Sequence, residues 1–202
     1  MTLRLQGKVI GLGLTGSHCT YDEVIPNIRV LQAEGARVMP VLSFAAAYTD
    51  TRFTTGDELR ARLREATGFE PVVDMLESEP LGQKKTFDAF VIAPCTGNTL
   101  AKFANAINDT PVLMAAKGTL RNLRPVILAI STNDALGANA LNLARLLQRK
   151  HVYFVPFGQD NPQEKPTSMV SDMDLLADTV VAALQGYQLQ PLVIQRSLRP
   201  VR

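Results

Sequence analysis

The chain has 202 residues, 46% of them hydrophobic and 20% charged, which is enough apolar material for one sizeable core. A net charge of +2 is too small for a nucleic-acid or membrane-surface binder, and the basic cluster Arg196, Arg199 and Arg202 reads as a solvated or partner-contacting end. The start M-T-L-R-L-Q-G-K has no signal-peptide core, no apolar run approaches the ~20 residues that cross a bilayer, and Cys19 and Cys95 lack metal spacing, so a cytosolic, metal-free protein with free thiols is expected.

Lys8 to Leu14 reads as the first strand, running into a tight turn at Thr15, Gly16 and Ser17. Successive backbone N–H groups in such a turn form an anion nest, and the positive end of a following helix adds to it. Gly11, Gly13 and Gly16 also spell G-x-G-x-x-G, the dinucleotide fingerprint. A turn at Gly11 would leave mainly Val9 and Ile10 as strand, whereas a turn at Gly16 gives a strand of ordinary length. The second strand, Val38 to Leu42, ends in Ser43 and Phe44 with no acid to hold a ribose hydroxyl, which disfavours NAD. NADP, or a cofactor with one phosphate such as FMN, stays open.

Strand and helix signals alternate along the rest of the chain. Thr20 with Glu23 spells a capping box for a helix to about Glu34, stopped by Gly35, and Thr55 with Glu58 spells another for a polar helix closed by Gly68. Phe87 to Ala93 is a buried strand, Pro94 to Asn98 a loop, and a helix follows from Thr99 with Asn98 or Thr99 as its cap. Val126 to Ile130 is a strand, Ser131 to Asp134 a loop, and a helix runs through Arg149. Val152 to Val155 is a strand, Phe157 to Ser168 a proline-rich polar stretch, and Ser171 to Gln185 a capped helix with Gly186 beyond it. The pattern predicts an α/β fold, a doubly wound parallel sheet with helices on both faces in flavodoxin- or Rossmann-like layers, forming one domain over 1–202 with 187–202 a C-terminal tail.

Three strand ends, at Leu14, Ala93 and Ile130, run into loops rich in Thr, Ser, Asn and Gly. In an open parallel sheet such loops share one edge, where ligands bind. Pro94, Thr96, Asn98 and Thr99 in one loop, and Ser131, Thr132 and Asn133 in another, supply fixed, uncharged amide and hydroxyl groups suited to a flavin ring edge.

The segments T-G-S after the first strand, Ser43 after the second, and A-P-x-T-x-N-T followed by Lys102 resemble the FMN-binding cysteine decarboxylase superfamily of flavoproteins. T-D-T-R-F (49–53), T-L-R-N-L-R-P-V (119–126), S-T-N-D-A-L-G (131–137) and F-V-P-F-G-Q-D (154–160) narrow the resemblance to the dipicolinate synthase B-subunit family of spore-forming bacteria. The resemblance implies FMN near a subunit contact of a homo-oligomer, trimeric or higher, with Ser17 and Ser43 at the flavin phosphate and Thr96, Asn98 and Thr99 at the ribityl chain and ring. It further implies oxidation of dihydrodipicolinate to dipicolinate together with an A subunit, in the mother-cell cytoplasm, with any NADP site on that partner. A noncatalytic role, stabilising the A subunit, is the alternative it leaves. Decarboxylases of the superfamily carry a catalytic histidine between the second strand and the A-P-x-T-x-N loop, and residues 44–92 contain none.

His18, directly after the phosphate turn, is a candidate either for packing and phosphate hydrogen bonding or for proton transfer. Cys95, inside the presumed flavin loop, reads as a small buried hydrophobe. A dicarboxylate substrate needs cationic partners, and Arg52 and Arg121 in the family-like segments, with Lys165 just beyond the last of them, are the candidates. Arg52 is the preferred partner, with Arg121 as helper, because it follows the second strand end.

Overall fold

The computed structural model describes residues 3–195. Its first strand, β1 (Val9–Leu14), is buried at every position, as a strand covered on both faces must be. Ile10, Leu12 and Leu14 enter one core, while Gly11 and Gly13 face the other, under the ring of Phe90. A Cβ on Gly11 would lie 2.4 Å from Phe90 Cδ2, and one on Gly13 2.8 Å from Val112 Cγ1. Both glycines are therefore strand residues that make room for neighbouring side chains, and the chain turns only beyond Leu14. This placement overturns the dinucleotide-turn reading of Gly11, Gly13 and Gly16.

After the turn come a 3-10 turn (His18–Thr20), α1 (Tyr21–Val24) and α2 (Pro26–Ala33). The expected capping box at Thr20 does not form. The Thr20 hydroxyl instead meets those of Ser17 and Ser131, and Pro26, which has no N–H, divides the helix in two. β2 (Arg37–Leu42) runs parallel to β1, and as an outer strand it tolerates Pro40. Then follow α3 (Phe44–Tyr48) and α4 (Gly56–Thr67), the latter with the predicted Thr55–Glu58 capping box and a left-handed Gly68. α5 (Met75–Gln83) precedes β3 (Ala89–Cys95), α6 (Gly97–Ala104), α7 (Pro111–Arg121) and β4 (Val126–Thr132). α8 (Ala140–Leu147), β5 (Val152–Phe154), β6 (Phe157–Gly158), β7 (Met169–Ser171) and α9 (Leu176–Leu184) complete the chain.

Several elements differ from expectation for local reasons. β3 continues to Cys95, which pairs with Ile130, so Thr96 rather than Asn98 or Thr99 caps α6. β4 continues to Thr132 because Ser131 and Thr132 pair antiparallel with Val170 and Met169. The polar stretch 157–168 thus contains β6 and opens the hairpin β6–β7, and α3, α5 and α7 are helices that the sequence signals did not mark.

The parallel strands lie in the order β2-β1-β3-β4-β5, and the hairpin adds β7 and β6 beside the far half of β4. The result is a seven-stranded, mostly parallel mixed sheet of the doubly wound type. One face is covered by Val24, Ile28 and Leu31 with Leu59, Leu63, Leu176 and Val180; the other by Leu100, Phe103, Val112, Ala116, Leu143 and Leu146.

The first part of the expected tail is not free. Gln188 exchanges two hydrogen bonds with the backbone of Phe154, at 2.8 and 2.7 Å, and Phe157 bonds to Leu192 and Ile194. Arg196, Arg199 and Arg202 lie outside the described residues.

α5 and α7 touch backbone to backbone. A Cβ on Gly118 would fall 2.6 Å from Gly82 Cα, and Asn122 Nδ2 bridges the two helices by donating to Gly82 O at 2.6 Å and Gly118 O at 2.9 Å. On an open helix face Gly→Ala gains up to ~1 kcal/mol, but no flexible group here can yield. Gly118→Ala should cost ~1–3 kcal/mol by overpacking, lowering Tm by ~2–4 °C per kcal/mol; an unchanged or raised Tm in a melting scan would refute the contact. Burial pushes the Cys95 thiol up to about 12, whereas Cys19 is exposed. A disulfide reagent at mildly alkaline pH should therefore modify Cys19 alone in the native chain and both thiols in denaturant.

Candidate functional site

The carboxyl ends of β1, β3 and β4 open onto a cavity of about 840 Å³, at the crevice beside the β1/β3 switch point where doubly wound sheets bind ligands. The three predicted loops do converge there. Gly16, Ser17, Thr96, Asn98, Ser131, Thr132 and Asn133 all line it.

Thr15 holds the site together without lining it. Buried, it donates Oγ1–H to Pro94 O at 2.6 Å and accepts the Thr96 N–H at 3.1 Å, clasping the β1 turn to the end of β3. Tyr21 Oη donates back to Thr15 O at 2.8 Å. Pro94 is buried within β3, and its carbonyl serves this clasp. Thr96 accepts the Thr99 N–H at 3.3 Å as the N-cap of α6, and its hydroxyl lies 3.1 Å from that of Thr99. Thr15, Pro94 and Thr99 are thus supports beneath the wall. Asn98 follows at the second position of α6, exposed and facing the cavity.

On the β1 side, Ser17, Thr20 and Ser131 form a hydroxyl triangle with edges of 3.0, 2.9 and 3.1 Å. Three rotatable O–H groups can turn donors toward an anion at no charge cost. On the β4 side, Asp134 accepts hydrogen bonds from Thr132 Oγ1 and, at 2.8 Å, from Asn139 Nδ2. This cluster packs against Gly97, where a Cβ would stand 2.6 Å from Thr132 Oγ1 and 2.7 Å from Asp134 Oδ1. Gly97 is therefore part of the site's construction, although the sequence marked it only as a loop letter.

The other predicted residues lie elsewhere. The Ser43 hydroxyl accepts the Ala46 N–H at 3.2 Å and caps α3, so it is committed to the backbone, while Ala45 packs under Gly16. The His18 ring packs edge-on against Tyr21, 5.2 Å between centroids, and the cavity wall passes from Ser17 to Cys19 without it. Burial lowers the His18 pKa, leaving the imidazole neutral near pH 7. The packing role fits this position, and the ring is not among the groups lining the cavity. Arg52 is exposed with its guanidinium 4.8 Å from the centroid of the Phe53 ring, outside the wall. Arg121 ends α7 just ahead of β4, at the opposite edge of the sheet from the cavity. Neither arginine is brought to the site within one chain.

Of the far wall, built by the loop between β6 and β7, the sequence marked only Lys165, as a candidate cation. Asp160, Asn161, Glu164, Lys165 and Ser168 contribute to it. Thr167 Oγ1 donates to Asn133 O at 2.6 Å and Leu136 N–H to Thr167 O at 3.0 Å, tying that loop to the end of β4. The strands of this hairpin are two and three residues long, too short for alternation to signal them.

Among the described residues, no helix is long and apolar enough to cross a membrane, and no group of three or more His, Cys, Asp or Glu is placed to hold a metal ion. Residues 2–185 match the flavoprotein family. The chain is 54% identical to the B subunit of dipicolinate synthase from Bacillus subtilis (strain 168) over 191 residues, 95% of this chain and 96% of that one. The crystal structure of the dipicolinate synthase B subunit from Bacillus halodurans C superposes with a TM-score of 0.88 at 50% identity, covering 96% of this chain and 99% of its own. The FMN-dependent cysteine decarboxylase SpaF shares the fold at 20% identity, TM-score 0.66, over 89% of this chain and 98% of its own. With the match running through nearly the whole length of both chains, this chain belongs to the flavoprotein family and, within it, to the family of dipicolinate synthase B subunits.

Proposed function

We propose that this chain binds FMN in the cavity at the ends of β1, β3 and β4 and acts, with an A subunit, in the oxidation of dihydrodipicolinate to dipicolinate during sporulation. The observation that carries the reading is the convergence of hydroxyls and amides, Ser17, Thr20, Thr96, Asn98, Ser131 and Asn133, at three adjacent strand ends around a space of about 840 Å³. Ser17, Thr20 and Ser131 would hold the phosphate, with Gly16 leaving the turn's backbone open to it. Thr96 and Asn98 would meet the ribityl chain and ring edge. Bound FMN supplies a two-electron acceptor, and aromatisation of the dihydropyridine supplies the driving force.

The chain's own contribution is placement. The Thr15 clasp and the Gly97–Asp134 packing fix the loops on rigid elements, so the ring-binding groups are set before ligand arrives. Decarboxylation is disfavoured because residues 44–92 hold no histidine and none lines the cavity. Any NADP chemistry is assigned to the A subunit, and a homo-oligomer, trimeric or a multiple of it, is expected to cover the open side of the site. The chain is expected to work as one domain in the mother-cell cytoplasm.

Purified protein should be yellow or take up FMN with a flavin band near ~450 nm; a chain that stays colourless with excess FMN refutes the cofactor assignment. Thr96, not Asn98, caps α6. Asn98→Asp should therefore keep the wild-type Tm while weakening FMN affinity about tenfold, the worth of one lost hydrogen bond of ~1.4 kcal/mol. An unaltered FMN Kd would remove Asn98 from the site. Dipicolinate formation, followed with each subunit alone and with both, should need both; full activity of the A subunit alone would leave this chain a stabilising partner.

A further inference from the structure

We propose that Lys165, at the cavity's outer wall, is the residue that anchors a carboxylate of the substrate; the proposal rests on the dicarboxylate reading above and assigns recognition within it. Among the described residues lining the cavity, Lys165 is the single cation, against the carboxylates of Glu23, Asp134, Asp160 and Glu164. A dianionic ligand entering such a wall is repelled unless it reaches that ammonium group.

The root of Lys165 is fixed while its head is free. Its N–H donates to Asn161 O at 2.7 Å, its carbonyl accepts from Ser168 N–H at 3.0 Å, and Gln159 Nε2 bonds to the neighbouring Pro166 O at 2.8 Å. The side chain is 58% exposed, and its one ion-pair contact, Asp160 Oδ2, is 3.9 Å away. The competing acids are not equal. Asp134 already accepts from the Thr132 hydroxyl and the Asn139 amide, and Glu164 accepts from Asn161 Nδ2 at 2.8 Å. Asp160 has one oxygen on Lys165 at that long distance and the other buried without a partner. An incoming carboxylate therefore competes with Asp160 for Lys165.

The arrangement predicts two variants of opposite sign, which a merely structural loop would not give. Pyridine-2,6-dicarboxylate is titrated calorimetrically into the full chain, with and without FMN. Lys165→Gln should weaken binding about tenfold or more, Lys165→Arg should largely retain it, and Asp160→Asn should tighten it. Pyridine-2,6-dicarboxamide, the neutral isostere, should bind wild type and Lys165→Gln alike. Equal dicarboxylate affinity in wild type and Lys165→Gln overturns the proposal, as does weaker binding in Asp160→Asn. Wild-type protein that takes FMN but no dicarboxylate also overturns it while leaving the flavin reading intact. Protein that refuses FMN yet loses dicarboxylate binding in Lys165→Gln keeps the anchor and refutes the flavin reading.

Discussion

Phe90 takes space that two β1 side chains would otherwise fill, and much of the molecule follows from that substitution of one ring for two Cβ atoms. Because Gly11 and Gly13 carry no Cβ, the ring of β3's Phe90 lies flat across β1, and α7 reaches the same surface through Val112. The strand keeps its straight course to Leu14, and the turn is delivered to the level where β3 ends. At that turn the Thr15 hydroxyl reaches Pro94 O and the Thr96 N–H, so the ends of the two strands are clasped at one level.

The fold was legible where the signal was local and periodic. The Thr55–Glu58 box with Gly68, the apolar runs of β1, β3 and β4, and the polar strand ends all correspond to structure. It was illegible where a tertiary partner competed for a local motif. Thr20 spells a capping box, yet its hydroxyl is drawn to Ser17 and Ser131, the latter across 111 residues of sequence. Ser43 matches a phosphate residue by position, yet the short helix α3 uses it as a cap. Asn98 reads as a cap, yet two more residues of β3 hand that task to Thr96. Arg52 and Arg121 lie in family-like segments, which fix likeness but not facing direction. Position along the chain found the loops; only three dimensions separated wall from support.

The site divides its electrostatics unevenly. Toward the core it is built mainly from hydroxyls and amides, with the one carboxylate of Asp134 held between Thr132 and Asn139. Toward solvent it is charged, with acids on the β6–β7 loop and one lysine among them. Neutral donors bind a flavin without fixing its charge state, whereas a charged rim selects what reaches the ring by sign. The inner residues sit on strand ends and helix N-termini, and the outer ones on a loop held by hydrogen bonds. Under the proposed function, cofactor retention and substrate choice would be carried by parts of the chain that can change independently.

That separation depends on the residues beyond Gly186. Phe157 N–H and C=O are both taken by the returning segment, through Leu192 and Ile194, while Gln188 locks onto Phe154. β6 would otherwise be the margin of the sheet, two residues long and open to pairing with another chain. The returning segment closes that margin from within. It works as a selvedge: it keeps the hairpin from unravelling, and it denies a neighbouring molecule the backbone edge from which uncontrolled sheet extension would start.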